Sequence, residues 1–118
     1  KPGPIDQIII NLILNSITHG FDKRDYGVIT IQVSTSSDML TINYQDDGKG
    51  IDPSIMNKIF EPFTTTNRGS GGSGLGLHLV YNLVTQALGG KISFSSEIEK
   101  GVNFKVSLPI QVVEEYVH

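Results

Sequence analysis

Two carboxamide side chains lie four residues apart, at Asn11 and Asn15, in a segment with helical spacing. On a helix, residues four apart project side by side from one face. Neutral amide oxygens suit a hard cation such as Mg²⁺, which usually takes one or two protein ligands and completes its shell with phosphates and water. A hydrogen-bonded polar seam that stabilises core packing is the alternative interpretation of the same pair.

A glycine-rich segment, which includes Gly69, Gly71, Gly72 and Gly74, leads directly into a second predicted helix. Glycine lets a backbone approach a ligand closely, and the free N–H groups at a helix start attract anions. The segment is therefore a candidate phosphate cradle, with a flexible surface loop as the alternative. It is not a Walker loop, because no Gly-Lys-Ser/Thr sequence ends it, and no strand leads straight in as a Rossmann turn requires.

A carboxylate, Asp46, ends a predicted strand just before Gly48 and Gly50. Beside a backbone that glycine makes approachable, this carboxylate could accept a hydrogen bond from an exocyclic amino group. Taken by itself, the segment also fits an ordinary turn. Further along, Phe60 and Phe63 enclose Glu-Pro and are interpreted as a hydrophobic hinge or as the end of a short helix.

These side chains must be positioned by alternating helices and hairpins. Helices are predicted over residues 5–19, 53–60 and 75–88, strands over 28–35, 39–44, 91–96 and 102–108, and a loop of about a dozen residues over 62–73. This order predicts an α+β fold: a two-layer α/β sandwich whose mixed, mostly antiparallel sheet is covered on one face by three helices.

The two longer helices differ in the distribution of their apolar residues. The first is apolar around most of its circumference, which is typical of a buried helix, and Gly20 is predicted to end it as a C′ residue. The second places apolar side chains at Leu75, Leu79, Leu83 and Ala87, and a Gly-Gly pair follows it.

Composition excludes several classes of protein. The chain has 118 residues, a formal net charge of −3 and no cysteine. Its length suits one domain with a single core. Its acidic balance argues against binding bulk nucleic acid, and the lack of cysteine excludes disulfides, thiolate metal sites and a cysteine nucleophile. No apolar run reaches the length of a transmembrane helix, and we expect no direct contact between this domain and a membrane.

In their order and spacing, these motifs resemble those of the ATP-binding catalytic domain of sensor histidine kinases, within the Bergerat-fold GHKL ATPase/kinase superfamily. The resemblance covers about residues 5–109 and all four sequence boxes of that domain. Gln7, Asn11, Asn15 and His19 resemble the N box; Asp46, Gly48, Gly50 and Ile51 the G1 box; Phe60 and Phe63 the F box; and Gly72, Gly74, Gly76 and Leu77 the G2 box.

The resemblance implies roles at the nucleotide base. Asp46 would accept a hydrogen bond from the adenine amino group, and Gly48, Gly50 and Ile51 would let the ring lie against the strand end. Phe60 and Phe63 would anchor a glycine-rich ATP lid.

The resemblance also implies roles at the phosphates. Asn15 would coordinate the Mg²⁺ of Mg-ATP, Asn11 would support that site, and His19 would contact the phosphate side. Arg68 would meet the γ-phosphate, with a solvated loop charge as the alternative. Phosphate oxygens would be held by the amides of the G2 box, which are those of Gly72, Ser73, Gly74, Leu75, Gly76 and Leu77.

Two positions depart from the family pattern. Thr18 stands where many members have a lysine directed at the phosphates, so that this charge would have to come from Arg68 or Lys49. Val102 and Asn103 stand where a Gly-Thr pair often precedes the last strand. Both departures bear on efficiency more than on identity.

The residue type at position 11, here Asn11, distinguishes the kinases of the superfamily from its hydrolases. In the superfamily's hydrolases a glutamate at this position acts as general base toward water, whereas a carboxamide has no useful basicity. The resemblance therefore implies phosphoryl transfer to a histidine on a separate dimerisation and phosphoacceptor helical domain, and onward to a response-regulator receiver domain. A non-catalytic nucleotide-sensing domain and a GHKL-type ATPase are the alternatives.

The predicted boundaries follow from the same resemblance. Residues 1–111 would form the catalytic domain with its first family strand truncated, and 112–118 a tail or the start of a linker. None of the three histidines has a phosphoacceptor context, so we expect a fragment that binds ATP without phosphorylating itself. The expected location is cytoplasmic, and a membrane anchor elsewhere in the parent protein is left open.

Overall fold

The computed structural model describes residues 3–62 and 75–110. Its elements alternate between helical segments and hairpins, as predicted. The helices are α1 (Pro4–Asn15) and α2 (Gly76–Asn82), with a 3₁₀ helix at Pro53–Lys58 between them. The strands are β1 (Ile29–Ser36), β2 (Met39–Asp46), β3 (Lys91–Glu97) and β4 (Gly101–Pro109). The α+β class is confirmed.

The four strands form one sheet in the order β1-β2-β4-β3. Both predicted hairpins are present, and the predicted predominance of antiparallel pairing is confirmed, since every strand pair in the described residues is antiparallel. The central pairing of β2 with β4 places Asp46 opposite Val102. The end of one hairpin therefore meets the start of the other, and Asp46 lies where they join.

The core lies between the sheet and the helices. Alternate residues of β2 and β4 face inward because successive side chains of a strand point to opposite faces. The buried apolar residues are Ile8, Leu12, Ile42, Tyr44, Ile59, Val80, Val84, Val102, Phe104, Val106 and Leu108. In the second predicted helix, over residues 75–88, Val80 and Val84 are buried, whereas Leu75 and Leu79 are each 40% exposed.

The prediction that the first helix is buried nearly all round is wrong. Ile8 and Leu12 are buried, but Ile10 and Ile17 are 42% and 57% exposed. A single helical layer covers the sheet, so α1 buries the side that meets the sheet and α2 and leaves the remainder outside. Among the described residues, no helix is long and apolar enough to cross a bilayer.

Both long helices widen into π-helical turns before they end, at Ser16–Gly20 and Leu83–Ala87. Gly89 then takes a left-handed conformation with φ of 66°. The prediction that Gly20 is the C′ residue is wrong, since Gly20 lies inside the π turn and Phe21 follows as the cap. Gly20 is small for another reason: a Cβ there would lie 3.0 Å from the Asp46 carboxylate.

Candidate nucleotide-binding site

A cleft of about 920 Å³ opens between α1, the turn that follows β2, the start of α2 and the turn between β3 and β4. Segments far apart in the chain therefore supply its walls. Of the predicted site residues, it brings together Asn11, Asn15, His19, Asp46, Gly50, Ile51, Leu75, Gly76 and Leu77.

Asp46 is the most deeply buried ionisable group of the cleft, with a relative exposure of 1%. Its Oδ1 accepts from the N–H of Gly48 at 3.0 Å and of Val102 at 3.2 Å, and its Oδ2 accepts from the Ser16 hydroxyl at 2.6 Å. A carboxylate has about four lone-pair directions. Three donors therefore hold Asp46 in place and leave acceptor capacity directed at the cleft it lines.

The two glycines after Asp46 are required by backbone packing. A Cβ on Gly48 would overlap the carbonyl oxygen of Gly20, and Gly48 itself lies behind the wall of the cleft. Gly50 has φ of 81° and lies against the carbonyl of Glu97. The backbone that follows β2 therefore packs closely against both the π turn after α1 and the second hairpin. This close packing was not predicted from the sequence.

The turn between β3 and β4 clamps the loop that follows Asp46. The Glu99 N–H donates to the Lys49 carbonyl at 2.7 Å, and the Ile51 N–H donates to the Ser96 hydroxyl at 2.8 Å. Ser96 in turn donates to the Gly101 carbonyl at 3.0 Å. As a result Ile98 and Glu99 line the cleft, and neither is predicted from the sequence.

The carboxamides of α1 line the opposite side. Asn11 donates through Nδ2 to the Gln7 carbonyl at 2.8 Å. Its Oδ1 lies 3.8 Å from where a Cβ on Gly76 would stand, so the row faces the start of α2. Asn15 lines the same cleft one turn later. The row therefore borders an open site, and the alternative of a seam inside the core does not describe it.

His19 lies at the end of this row and is half buried. Burial lowers its pKa below the usual value of 6.5, the positive charge of Lys49 lowers it further, and Asp22 acts in the opposite direction. His19 is therefore mainly neutral at pH 7. Lys49 also lines the cleft and pairs with Asp22 at 3.6 Å between Nζ and Oδ2.

Phe60 lies beneath the cleft, in an aromatic cluster. Its ring stacks on Tyr81 at 5.3 Å and meets the edge of Phe94 at 5.8 Å between centroids. The Phe60 carbonyl accepts from Nδ1 of His78 at 3.1 Å. Phe60 is thus fixed to α2 and β3, which suits the predicted anchoring role. The remaining predicted residues, namely Phe63, Arg68, Gly72, Ser73 and Gly74, lie outside the described residues.

The charged and polar groups that line the cleft determine whether it could hold a metal ion. Among the described lining residues there are one lysine, Lys49, and three carboxylates, those of Asp46, Asp52 and Glu99. No group of three or more His, Cys, Asp or Glu side chains in the described residues could hold a metal. The donors that fit magnesium are the oxygens of Asn11 and Asn15, and phosphate oxygens would have to complete its shell.

Comparison with known proteins identifies the family of the chain. The family profile of histidine kinase-, DNA gyrase B- and HSP90-like ATPases matches residues 1–112. The chain belongs to this ATPase family. Within it, the chain corresponds to the ATP-binding catalytic domain of sensor histidine kinases, a component of two-component signalling.

Individual relatives support the same assignment. Sensor kinase CckA of Brucella abortus is 33% identical over an alignment of 125 positions, gaps included, that covers 96% of this chain and 13% of that protein. The catalytic domain of histidine kinase ThkA is 30% identical, with a TM-score of 0.73, over 90% of this chain and 67% of that domain. ShkA, solved at full length with AMPPNP, is 26% identical with a TM-score of 0.76, over 95% of this chain and 22% of its own.

The cleft and its surroundings also contain residues that were not predicted from the sequence. Ser16 and Tyr44 contact Asp46 or its partners from inside the core, and His78 and Asn82 line the cleft from α2. One signal was available for Tyr44. It lies two residues before Asp46 on β2, so both side chains point to the same face of the sheet.

Proposed function

We propose that the chain binds Mg-ATP in this cleft and transfers the γ-phosphoryl group to a histidine on a separate dimerisation and phosphoacceptor domain. The observation that carries this proposal is the convergence of Asp46, Asn15 and the start of α2 on one cleft. In the transfer, the bond between the γ-phosphorus and the bridging oxygen breaks, a P–N bond forms to the histidine ring, and ADP leaves.

The base end of the cleft, formed by Asp46 with Gly50 and Ile51, would take adenine. A carboxylate whose other lone pairs are occupied is a directed acceptor, and the exocyclic amino group of adenine is a matching donor. The buried setting strengthens this hydrogen bond, because competing water is excluded. The complex of ShkA with AMPPNP supports an adenine nucleotide at this kind of site.

The phosphate end, formed by Asn11, Asn15 and His19 with Gly76, would take the triphosphate. Magnesium, when bound with the nucleotide, would offset the triphosphate charge beside an acidic cleft. The Asn15 carboxamide oxygen would be its ligand, and Asn11 would keep the neighbouring position. Backbone N–H groups at the start of α2, beginning with Leu75, would donate to phosphate oxygens. Arg68 and the amides of residues 72–74 are assigned to the same end as predictions from the motif.

Asn11 favours transfer over hydrolysis. Its Nδ2 donates to the Gln7 carbonyl, and its oxygen is that of a neutral amide, so the side chain cannot take a proton from water. Phosphoryl transfer mainly requires positioning and charge neutralisation, which the cleft can supply to an incoming histidine.

The partners follow from this role. The chain spans 13% of CckA and 23% of the sensor histidine kinase ZraS of Escherichia coli, so most of a relative's length lies in other regions. We infer that the phosphoacceptor helices belong to such a region of the parent protein. The phosphoryl group would pass from them to an aspartate on a response-regulator receiver domain. The catalytic domain would act in the cytoplasm.

The experiment that tests the proposal mixes the chain with the phosphoacceptor helices of its parent protein and Mg-ATP labelled at the γ-phosphate. We expect acid-labile, alkali-stable label on a histidine of those helices. Asn15→Ala should abolish labelling. Asn43→Ala, which changes the same residue type on the outer face of β2, should leave it intact.

Other outcomes identify the alternatives. Nucleotide binding without label on the helices would favour a nucleotide-sensing domain. Rapid release of labelled phosphate by the chain alone would favour an ATPase. If the unmodified chain is a kinase, Asn11→Glu should not convert it into an efficient hydrolase.

A further inference from the structure

A row of buried oxygen atoms runs from α1 through the core to the Asp46 carboxylate. The Ser16 hydroxyl lies 2.6 Å from Asp46 Oδ2 and 2.6 Å from the Tyr44 hydroxyl, which lies 3.0 Å from the Leu12 carbonyl. Ser16, Tyr44 and Asp46 are each no more than 1% exposed. Water therefore cannot substitute for any of these contacts.

Counting protons gives the row a direction. The three contacts share two hydroxyl protons, one from Ser16 and one from Tyr44. An ionised carboxylate only accepts, so the Ser16 proton points to Asp46. The Tyr44 proton must then serve both the Ser16 oxygen and the Leu12 carbonyl. The Ser16 hydroxyl dipole consequently points toward the carboxylate, which bears the negative charge, while the Tyr44 hydroxyl ties the Ser16 oxygen to the Leu12 carbonyl of α1.

The Tyr44 hydroxyl keeps its proton over a wide pH range. Burial raises the pKa of Tyr44 to about 12, although its hydrogen bond with Ser16 lowers it and the charge of Asp46 adds to the increase. A phenylalanine would fill the same space against Phe104, whose ring centroid lies 6.4 Å away. Burying a hydroxyl is unfavourable unless it is hydrogen-bonded, so packing alone does not account for tyrosine at this position.

We propose that Ser16 and Tyr44 are positioning residues that hold Asp46 as an oriented acceptor and so set the preference of the cleft for a base with an exocyclic amino group. This inference rests on the proposed function, since it assigns the base to Asp46. Ser16 occupies one lone pair of Oδ2, and the N–H groups of Gly48 and Val102 occupy Oδ1. The acceptor capacity that remains faces the ligand. A base with a carbonyl in place of the amino group would bring two acceptors together.

The test compares two nucleotides that differ only in the amino group. ADP and purine riboside 5′-diphosphate, which lacks that group, are titrated by calorimetry against the full chain and its variants. We expect the unmodified chain to prefer ADP. Ser16→Ala should weaken ADP binding about tenfold, as for loss of a hydrogen bond to a charged group. It should leave purine riboside diphosphate binding within about twofold.

Tyr44→Phe is the second variant, because it preserves ring packing and is the safer change for folding. Since it acts through Ser16, we expect a smaller loss of ADP affinity, about threefold, again without an equal loss for the nucleotide that lacks the amino group. Ser93→Ala and Tyr26→Phe, at exposed positions, are matched controls and should leave both affinities unchanged.

The outcomes separate this inference from the proposed function. Equal losses for both nucleotides in the two variants would show a general structural role and overturn the inference, and so would unchanged affinities. If the unmodified chain binds neither nucleotide, the proposed function itself fails. A smaller ratio of ADP affinity to purine riboside diphosphate affinity in both variants than in the unmodified chain supports the positioning role.

Discussion

The two ends of the cleft, which we propose take the base and the phosphates, are built in different ways. Asp46 at the base end is held by donors that lie 2, 30 and 56 residues away in the chain. At the phosphate end, Asn11 and Asn15 are one turn apart on a single helix, and Asn11 is held by a carbonyl four residues before it. The position of Asp46 therefore depends on the whole fold, whereas the asparagine row depends on local helix geometry.

The largest expected effect comes from disturbing the base end through the backbone. Gly101 has φ of 87°, and a Cβ there would overlap the Asp46 carbonyl oxygen. Gly101→Ala should lower the free energy of unfolding by about 3 kcal/mol or more, because left-handed backbone costs a non-glycine residue about 1–2 kcal/mol and overpacking adds about 1–3 kcal/mol. Urea denaturation measures this loss.

Gly89→Ala is the matched control, because Gly89 has a similar φ of 66° with nothing within 4 Å of the added carbon. We expect a loss of about 1 kcal/mol there. Equal losses at the two glycines would mean that close packing against Asp46 contributes nothing.

Removing the charge at the base end should affect binding more than folding. Asp46→Asn keeps the shape of the side chain but leaves a neutral amide in place of a directed carboxylate. Affinity for ADP should fall about ten- to hundredfold, since a hydrogen bond to a charged group contributes about 1.5–3 kcal/mol. Calorimetric titration measures the affinity for ADP. Asp38→Asn, in the turn between β1 and β2, should bind ADP normally, and unchanged affinity in Asp46→Asn would exclude the assigned role.

A change at the phosphate end should alter the magnesium dependence of ATP binding without altering the binding of adenosine. Asn15→Ala should reduce the gain in ATP affinity on adding Mg²⁺ by about tenfold, because one metal ligand is removed while Asp46 is untouched. Adenosine binding, which involves no phosphate, should stay the same. Asn43→Ala should retain the full magnesium effect. A parallel loss of adenosine binding would show that the two ends are coupled rather than independent.

The smallest expected effect is the pH dependence contributed by His19. Its pKa is lowered in the folded chain, mainly by burial, so the unfolded chain binds more protons at mildly acidic pH. The free energy of unfolding should therefore fall as pH decreases through 6.5 toward the lowered pKa, and this contribution is fully present above 6.5. Unfolding at pH 7.5 and 5.5 measures the change, and His19→Gln should flatten it. An identical slope in that variant would assign the dependence to other groups.

The order of elements was predictable because it rests on local signals. Alternation in β1 and β2, Pro53 at the start of the 3₁₀ helix and Gly89 after α2 all act over a few residues. The extent of burial was not predictable in the same way. Ile10 and Ile17 have the residue type of a core, yet which side of a helix meets a sheet depends on how many layers cover it.

The candidate site likewise contains some residues that could be predicted from the sequence and others that could not. The asparagine row, the carboxylate at the strand end and the glycine before α2 could be chosen from residue types and spacing. Ser16 and Glu99 could not, because the first is a small residue inside an apolar helix and the second belongs to a distant hairpin, and Val102 was noted only as a departure from the family pattern. Val102 reaches the site through the pairing of β2 with β4, and Glu99 through the turn packed against Lys49.

By itself, the sequence determined the family, the order of helices and hairpins, and several of the residues that line the cleft, since each of these depends on residue types at short, regular spacings. The tertiary structure alone decided how Asp46 is held and why Gly48 and Gly101 must be small. These features depend on backbone segments that lie far apart in the chain and come into contact only when the two hairpins join in one sheet and α1 packs on it.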